Sequence, residues 1–245
     1  MKTYGLIGES LTHSYSKSYF EEKFVREGIT DCGYRLFELP CIERLPDFIA
    51  SEPTLCGFNV TIPYKKSIIP FLDELSPEAE EIGAVNVVRL DRRGTQFVMK
   101  GYNTDAEGFS LSLAGEDVPV PALVFGAGGA AAAVMYALRR MQIPYVQVSR
   151  KGGAGQLLLS QVSAKDIEEH PLLINCTPVG TSGNADQRLE LPYEALTAGH
   201  YLYDLVYNPD VTSFLQEGLR RNARVQNGLK MLHLQAEAAW RIWNR

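Results

Sequence analysis

The chain has 245 residues, of which 45% are hydrophobic and 22% charged, and this composition is typical of a soluble globular protein with one large or two modest domains. Its formal net charge of -5 argues against a general nucleic-acid-binding surface, which needs a basic face. The four cysteines include no CxxC pair, so we expect reduced thiols in the cytosol rather than a disulfide framework or a zinc site.

The first hundred residues alternate between strand and helix patterns. Strands are predicted at residues 3–8, 34–39 and 55–61. Helices are predicted at about 16–27, at 41–51 and from Pro63 onward. This alternation predicts a parallel sheet covered by helices on both faces. The runs AVNVVRLD and TQFVMK flank RRG, which indicates a hairpin at the edge of the domain.

The third helix raises a question about a lysine. Proline suits the first position of a helix, so Pro63 predicts a start there and puts Lys65 in the first turn. The positive end of the helix dipole disfavours a cation at that place. Lys65 is therefore expected to serve something other than helix stability.

A second alternating segment starts near Thr104. Residues 118–138 carry no charge, but their prolines, glycines and alanines favour a strand, a glycine turn and a helix to about Met141 over a membrane span. Further strands are predicted at 145–149, 172–178 and 201–207, and a long terminal helix at 228–243. The N-terminal apolar run is too short for a signal peptide, and the histidines lack metal-ligand spacing. We thus expect an α/β protein with two domains and expect neither a metal nor a membrane partner.

The sequence VFGAGGAAAAV fits a dinucleotide site. Gly126 permits a tight turn, Gly128 lets the backbone approach a pyrophosphate, and Gly129 with the following alanines allows close packing of helix on strand. A plain tight turn is the alternative interpretation. The strand predicted before the glycines and the helix predicted after them favour the nucleotide site.

The end of the next strand distinguishes NADP from NAD. An NAD site usually has an acidic residue there to hold the ribose 2′-hydroxyl. This chain has Ser149, Arg150 and Lys151 instead, and the guanidinium is suited to a 2′-phosphate. A solvated basic turn is the alternative, but beside the glycine loop the sequence favours NADP.

Polar side chains cluster after the predicted strands of the first segment, where sheets of this kind bind ligands. They are Ser14, Ser16, Asn59, Thr61, Lys65, Asn86, Asn103 and Asp105. Local roles are open for some of them, because Ser16 and Asp105 suit helix caps and the asparagines suit loop backbone.

The order of several motifs resembles that of the shikimate dehydrogenase family, whose members reduce 3-dehydroshikimate. The motifs are HSYS, NVTIPYKK, GAVN, NTD, GAGGAA, SRK, NCTPVG, YDLVYNP and NGLKMLHLQA, and they cover nearly the whole chain. The resemblance implies an N-terminal α/β substrate domain, residues 1–103 plus 228–245, and a Rossmann-like doubly wound NADP domain, residues 104–227.

Site residues follow from the motifs that match. The resemblance implies a catalytic pair, Lys65 and Asp105. It implies substrate contacts by Ser14, Ser16, Asn59, Thr61, Asn86, Tyr207 and Gln235. It implies NADP contacts by Gly126, Ala127, Gly128, Gly129, Ser149, Arg150, Lys151, Thr177 and Gly228.

The expected activity is reversible hydride transfer between NADPH and 3-dehydroshikimate, giving shikimate in aromatic amino-acid and chorismate biosynthesis. The expected protein is a cytoplasmic monomer or homodimer with a small-molecule substrate. Two alternatives stay open: a quinate/shikimate dehydrogenase with relaxed cofactor choice, and a non-catalytic NADP-binding regulator. A regulator would have lost Lys65 or Asp105, and the chain has both.

Overall fold

The computed structural model describes residues 1–11, 14–93, 96–153 and 155–245. His13 of the HSYS motif, Gly94 and Thr95 of the predicted hairpin, and Ala154 of the loop after Lys151 lie outside the described residues. The chain divides into two compact units. We call Met1–Thr104 together with Gln235–Arg245 unit 1, and Asp105–Leu234 unit 2. In sequence, unit 2 is thus an insertion into unit 1.

Strands and helices follow the predicted alternation. The strands are β1 (Lys2–Gly8), β2 (Cys32–Glu38), β3 (Leu55–Val60), β4 (Glu74–Leu75), β5 (Val87–Arg93), β6 (Gln96–Tyr102), β7 (Ala122–Phe125), β8 (Tyr145–Ser149), β9 (Gln156–Leu158), β10 (Leu172–Asn175), β11 (Tyr201–Asp204) and β12 (Arg224–Gln226). The α-helices are α1 (Ser16–Glu27), α2 (Leu45–Ser51), α3 (Tyr64–Ser67), α4 (Pro77–Ile82), α5 (Asp105–Ser112), α6 (Gly129–Arg140), α7 (Ala164–Glu169), α8 (Ser213–Leu219) and α9 (Leu229–Trp243). None of the helices in the described ranges is long and apolar enough to cross a membrane.

The sheet of unit 1 is mixed rather than parallel throughout. Its order is β2-β1-β3-β5-β6-β4, and β5 runs antiparallel to both of its neighbours. The predicted hairpin is confirmed as the antiparallel pair β5–β6, but its predicted place at the edge is wrong. The short strand β4 pairs with β6 on the outer side, and two residues are too few to leave a periodic pattern in the sequence.

Helix α9 packs on the sheet of unit 1 through aromatic side chains. The rings of Trp243 and Tyr4 stack with centroids 4.9 Å apart, and the indole N–H of Trp243 donates to the Val88 carbonyl at 3.0 Å. A Cβ atom at Gly57 would stand 2.4 Å from the Trp243 ring, so only glycine leaves room for it. The last residues of the chain therefore complete the core of unit 1.

The sheet of unit 2 is parallel in each described pair, with the order β12-β11-β10-β7-β8-β9. Counted from β7, this is the order 3-2-1-4-5-6 of a Rossmann-like doubly wound sheet. The order reverses between β7 and β10, and ligands of such sheets bind at the carboxyl ends of the strands flanking this switch point. The predicted doubly wound sheet is confirmed.

Candidate active site

One edge of the sheet of unit 1 gathers the predicted polar residues. Strands β1, β3 and β6 end at this edge, whereas the antiparallel β5 begins there. Asn59 therefore comes near the end of β3, Asn86 directly before β5, and Thr104 just after β6. All three side chains are buried. We call the group Ser16, Tyr34, Asn59, Asn86, Thr104 and Gln235 the polar edge.

Asn86 is the centre of the polar edge. Its Oδ1 accepts from the Thr104 backbone N–H at 2.7 Å, and its Nδ2 donates to Thr104 Oγ1 at 3.0 Å and to Gln235 Oε1 at 3.3 Å. Asn59 Nδ2 donates to the Asn86 carbonyl at 3.3 Å. These bonds fix the orientation of each side-chain amide. The structure thus brings three predicted substrate residues, Asn59, Asn86 and Gln235, into one network.

Tyr34 extends the network and was missed from the sequence. Its hydroxyl donates to Asn59 Oδ1 at 2.7 Å. Burial raises the pKa of Tyr34 well above its usual value, and the Ser16 side chain is near enough to lower it slightly, so the hydroxyl keeps its proton. The ring stacks on Phe20 with centroids 4.4 Å apart. Tyr34 lies in a run that is typical of any half-buried strand, so no sequence pattern pointed to it.

The two serines have different local roles. Ser14 Oγ accepts from the Ser16 backbone N–H at 3.3 Å, which shapes the turn before α1. Ser16 is the first residue of α1, and Tyr15 holds the cap position without a side-chain capping bond. The alternative that Ser16 caps the helix is therefore wrong. Both serine side chains are half-buried.

The loop after β3 holds Thr61 and Lys65 by backbone bonds. Thr61 N–H donates to the Ile7 carbonyl at 2.9 Å, Tyr64 N–H to the Thr61 carbonyl at 2.9 Å, and Val85 N–H to the Lys65 carbonyl at 2.7 Å. The backbone at Lys65 is thus tied to the chain just before Asn86. The Lys65 side chain is half-buried.

The dipole argument for Lys65 is wrong in its premise. Helix α3 begins at Tyr64, with Pro63 in the cap position, and it has only four residues. Its first and last turns are the same turn, so the peptide dipoles add up to little at either end. The placement of Lys65 has to be explained by its surroundings rather than by helix electrostatics.

The glycine turn of unit 2 has the shape that a pyrophosphate site requires. Gly126 has φ +132°, and a Cβ there would stand 3.2 Å from the Cys176 carbonyl oxygen, so glycine is required. Gly128 caps α6, and beyond its immediate neighbours in the chain no described residue has a heavy atom within 4 Å of the point where its Cβ would stand. That open space, next to Ala127 and to the first turn of α6 at Gly129, fits an anionic group.

The loop after β8 holds the predicted 2′-phosphate residues. Arg150 and Lys151 are exposed, whereas Ser149 is buried and its Oγ accepts from the Gly152 N–H at 3.0 Å. An exposed guanidinium on a loop whose base is fixed can reach a phosphate on a ligand. The role of Arg150 in the selection of NADP stays a prediction.

The remaining predicted residues of unit 2 follow β10 and β11. Thr177 donates from Oγ1 to Asn175 Oδ1 at 2.7 Å, and Tyr207 is half-buried three residues after β11. Gly228 directly precedes α9, and a Cβ there would stand 2.1 Å from the Leu205 carbonyl oxygen. Gly228 thus has a packing role in addition to any contact with a cofactor.

Asp204 connects these loops and was missed from the sequence. It is fully buried, and its carboxylate accepts from Asn175 Nδ2 at 3.0 Å, Val206 N–H at 3.0 Å and Thr212 Oγ1 at 2.6 Å. Burial raises the pKa of Asp204 to about 7, against the lowering effect of these three donors. The network ties the loop that bears Thr177 to the loop that bears Tyr207.

Asp105 is the first residue of α5 and is buried. Desolvation raises the pKa of the Cys176 thiol, and the negative charges of Asp204 and Asp105 raise it further. Asp105 is therefore within electrostatic reach of Cys176, which follows β10 at the switch point.

In the part of the chain that the structure describes, no group of three or more His, Cys, Asp or Glu side chains is placed to hold a metal ion.

The strand order, glycine turn and basic loop of unit 2, with a separate polar edge in unit 1, define a two-domain dinucleotide-dependent oxidoreductase. The sequence model of the family described as shikimate dehydrogenase substrate binding domain matches residues 6–88. Curated relatives named shikimate dehydrogenase (NADP(+)) are each 36% identical over 99% of this chain, from Chlorobaculum tepidum (90% of that protein) and Caldicellulosiruptor saccharolyticus (92%). The chain belongs to the shikimate dehydrogenase family.

A solved structure supports the same assignment. Shikimate 5-dehydrogenase from Thermus thermophilus, in complex with NADP(H) and shikimate, superposes with a TM-score of 0.86 at 32% sequence identity. The match covers 99% of this chain and 93% of that one. The fold resemblance therefore extends over both units and not only over the dinucleotide-binding unit.

Proposed function

We propose that this protein catalyses the reversible NADPH-dependent reduction of 3-dehydroshikimate to shikimate, a step of aromatic amino-acid and chorismate biosynthesis. The observation that carries the proposal is the polar edge, in which Asn59, Asn86 and Gln235 belong to one hydrogen-bonded network. Neutral amides and hydroxyls that donate and accept in fixed directions suit a ring carrying several hydroxyl groups.

The proposed division of labour follows the motifs. Residues 1–103 and 228–245 bind the substrate, and residues 104–227 bind NADP. Ser14 and Ser16 hold the substrate carboxylate by hydrogen bonds, which adds no cation near Lys65. The proposed contacts to the ring hydroxyls and the walls of the site are Asn59, Thr61, Asn86, Tyr207 and Gln235.

The cofactor residues form two groups within unit 2. The glycine turn, Gly126 to Gly129, faces the pyrophosphate, and Arg150 and Lys151 pair with the ribose 2′-phosphate, with Ser149 at the base of their loop. Thr177 and Gly228 are proposed further cofactor contacts. When bound, NADPH supplies the hydride, and the chain's own groups bind, orient and move protons.

Lys65 is the proposed proton donor. As the ketone at C3 becomes an alcohol, negative charge develops on its oxygen, and an ammonium group beside that oxygen stabilises the charge. The same group gives a proton to the oxygen in reduction and accepts it in the reverse direction. Asp105 is the second proposed catalytic residue. We further propose a cytoplasmic monomer or homodimer.

One spectrophotometric assay tests the function. With purified protein, we expect shikimate to reduce NADP and expect much slower reduction with quinate or with NAD. Comparable rates with quinate or NAD would favour the quinate/shikimate alternative with relaxed cofactor choice. Binding of NADPH without turnover of either substrate would contradict the enzyme assignment and favour a regulator. Protein without added substrate is the blank.

Replacing Tyr34 with phenylalanine tests the polar edge. The variant keeps the ring that stacks on Phe20 but removes the hydroxyl that orients Asn59. We expect the KM for shikimate to rise about threefold to tenfold, the effect of losing about 1 kcal/mol of hydrogen bonding, with the KM for NADP unchanged.

The matched control is Tyr193→Phe. Tyr193 is also buried, and its hydroxyl donates to the Leu189 carbonyl at 2.8 Å, away from the polar edge. A control that raised the KM for shikimate as much as Tyr34→Phe would show that the effect is general destabilisation.

A further inference from the structure

A row of side-chain hydrogen bonds runs across the sheet of unit 2, from the glycine turn to the loop after β8. Gln147 Nε2 donates to the Gly126 carbonyl at 2.8 Å, and Gln156 Nε2 donates to Gln147 Oε1 at 2.9 Å. Ser149 Oγ donates to Gln156 Oε1 at 2.9 Å and accepts from the Gly152 N–H at 3.0 Å. We call the side chains of Gln147, Gln156 and Ser149 the glutamine bridge.

Strand geometry explains why these side chains meet. Gln147 and Ser149 are two residues apart on β8, so they point to the same face of the sheet. Gln156 is the first residue of β9 and pairs in register with Gln147. Its side chain therefore lies beside both of them. Ser149 is buried and the two glutamines are half-buried, which limits competition from water.

The donors and acceptors along the glutamine bridge can be arranged in only one order. The Gly126 carbonyl can only accept, so Gln147 presents its NH₂ group there and its oxygen to Gln156. Gln156 must then donate to Gln147 and present its own oxygen to Ser149. The Ser149 hydroxyl gives its one proton to that oxygen, and its lone pair accepts from Gly152. A backbone carbonyl in the glycine turn thus sets the hydrogen bond that closes the next loop.

The two ends of the bridge lie at the two places where NADP carries phosphate in the proposed function. Gly126 belongs to the pyrophosphate turn, and the bond between Ser149 and Gly152 encloses Arg150 and Lys151. We propose that Gln156 is a positioning residue for NADP selectivity, which holds the Arg150 loop at a fixed place relative to the glycine turn. This inference rests on the proposed function, because it assumes that Arg150 binds the 2′-phosphate.

The chemistry of the bridge suits a site for a dianionic phosphate. Its members are neutral, so it orients the loop without repelling the 2′-phosphate, whereas a carboxylate at this position would repel it. NAD lacks that phosphate and uses only the glycine-turn end. Loss of a hydrogen bond in the glutamine bridge should therefore weaken the binding of NADP more than the binding of NAD.

The test compares the binding of NADP and NAD by calorimetry, which does not depend on catalysis. For Gln156→Ala we expect the ratio of the NADP to the NAD association constant to fall about tenfold, the size expected for one well-placed charged contact. The matched control is Gln161→Ala, an exposed glutamine of the same unit, for which the ratio should be unchanged. The KM for shikimate should be unchanged in both variants.

A second variant keeps the size of the Gln156 side chain but changes its hydrogen bonding, so that the effect of the bridge can be told apart from a loss of folding. Gln156→Glu keeps the side-chain length and the oxygen facing Ser149, but it cannot donate to Gln147 and it adds a negative charge. We expect a fall in the ratio at least as large as for Gln156→Ala. Circular dichroism shows whether each variant is folded.

An unchanged ratio in folded variants would overturn the inference, whether both affinities stay the same or both fall equally. The proposed function fails separately, if the unmodified protein binds NADP yet does not oxidise shikimate. Binding that prefers NADP, with a ratio that falls in both Gln156 variants, supports the positioning role whatever the substrate is.

Discussion

Replacement of Lys65 with alanine is expected to lower turnover about a hundredfold to ten-thousandfold, the usual contribution of a positioned proton donor. The loss arises because the charge that develops on the C3 oxygen would have neither an ammonium neighbour nor a proton source. The KM for NADP and the affinity for NADPH should stay near their normal values, because Lys65 belongs to unit 1 and all the proposed cofactor residues belong to unit 2.

The neighbour Lys66 provides the matched control. Lys66 is exposed and occupies the same four-residue helix, so Lys66→Ala removes an equal charge with an equal change in helix propensity. Turnover is measured by steady-state reduction of NADP with shikimate, and cofactor binding by fluorescence titration. Near-normal turnover of Lys65→Ala, or an equal loss in Lys66→Ala, would refute the proposed role.

Replacement of Asp204 is expected to have the largest effect on stability. Asp204→Ala removes the acceptor of three buried donors, on Asn175, Val206 and Thr212. Unsatisfied buried donors of this kind should cost about 3 kcal/mol of the free energy of unfolding. Urea unfolding followed by circular dichroism measures this loss. Tryptophan fluorescence would report on unit 1, because Trp240 and Trp243 both belong to it, whereas Asp204 belongs to unit 2.

Asp204 should also make stability depend on pH. Because burial raises its pKa to about 7, the folded protein keeps a proton that the unfolded chain releases above about pH 4. Its contribution to the free energy of unfolding is therefore complete at low pH and is lost as the pH rises toward 7. Asp204→Asn does not titrate, so the stability of the unmodified protein relative to this variant should fall between about pH 5 and pH 7.

A control separates this effect from the other carboxylates. Asp210 is exposed and lies on the same segment, so Asp210→Asn shows how much the removal of one carboxylate from this segment changes the pH dependence of stability. If the free energy of unfolding of Asp204→Asn instead changes with pH in parallel with that of the unmodified protein, then Asp204 titrates in its ordinary range, because its three donors lower its pKa as much as burial raises it.

Elements with a strong local pattern were predictable. Helix α1 occupies the predicted residues 16–27, and β8 the predicted residues 145–149. The sequence also indicated the doubly wound sheet of unit 2, because apolar runs alternated with helical patterns around a glycine turn. Thr61, Thr177 and Tyr207 follow strands in the structure, whereas Asn59 lies within β3 and Asn86 precedes β5.

Elements that depend on tertiary contacts were not predictable. The segment 41–51 was predicted as one helix, but the structure has a short 3-10 helix at Ile42–Arg44 followed by α2, because Pro46 has no N–H to continue a single ladder. The strands predicted at 172–178 and 201–207 end early, at Asn175 and Asp204. Their apolar composition continues into loops whose backbone is held by buried side chains, and local periodicity cannot show this.

The site residues that were missed share one property. Tyr34, Gln156 and Asp204 act by orienting other residues. Tyr34 bonds to Asn59, 25 residues away along the chain, and Gln156 bonds to Gln147, 9 residues away. Asp204 bonds to Asn175, 29 residues away. A hydrogen bond across such a separation leaves no spacing rule in the sequence. Only the folded geometry reveals them.

The insertion of unit 2 into unit 1 has a consequence for synthesis on the ribosome. The residues of unit 2 emerge before the last eleven residues, Gln235–Arg245, which carry Trp243 to its place over Gly57 and against Tyr4. The nascent chain can therefore complete its nucleotide-binding part while the first hundred residues still await their final helix. Within this sequence, the first hundred residues are made before unit 2 but acquire their full core after it, and until then part of their apolar surface stays uncovered.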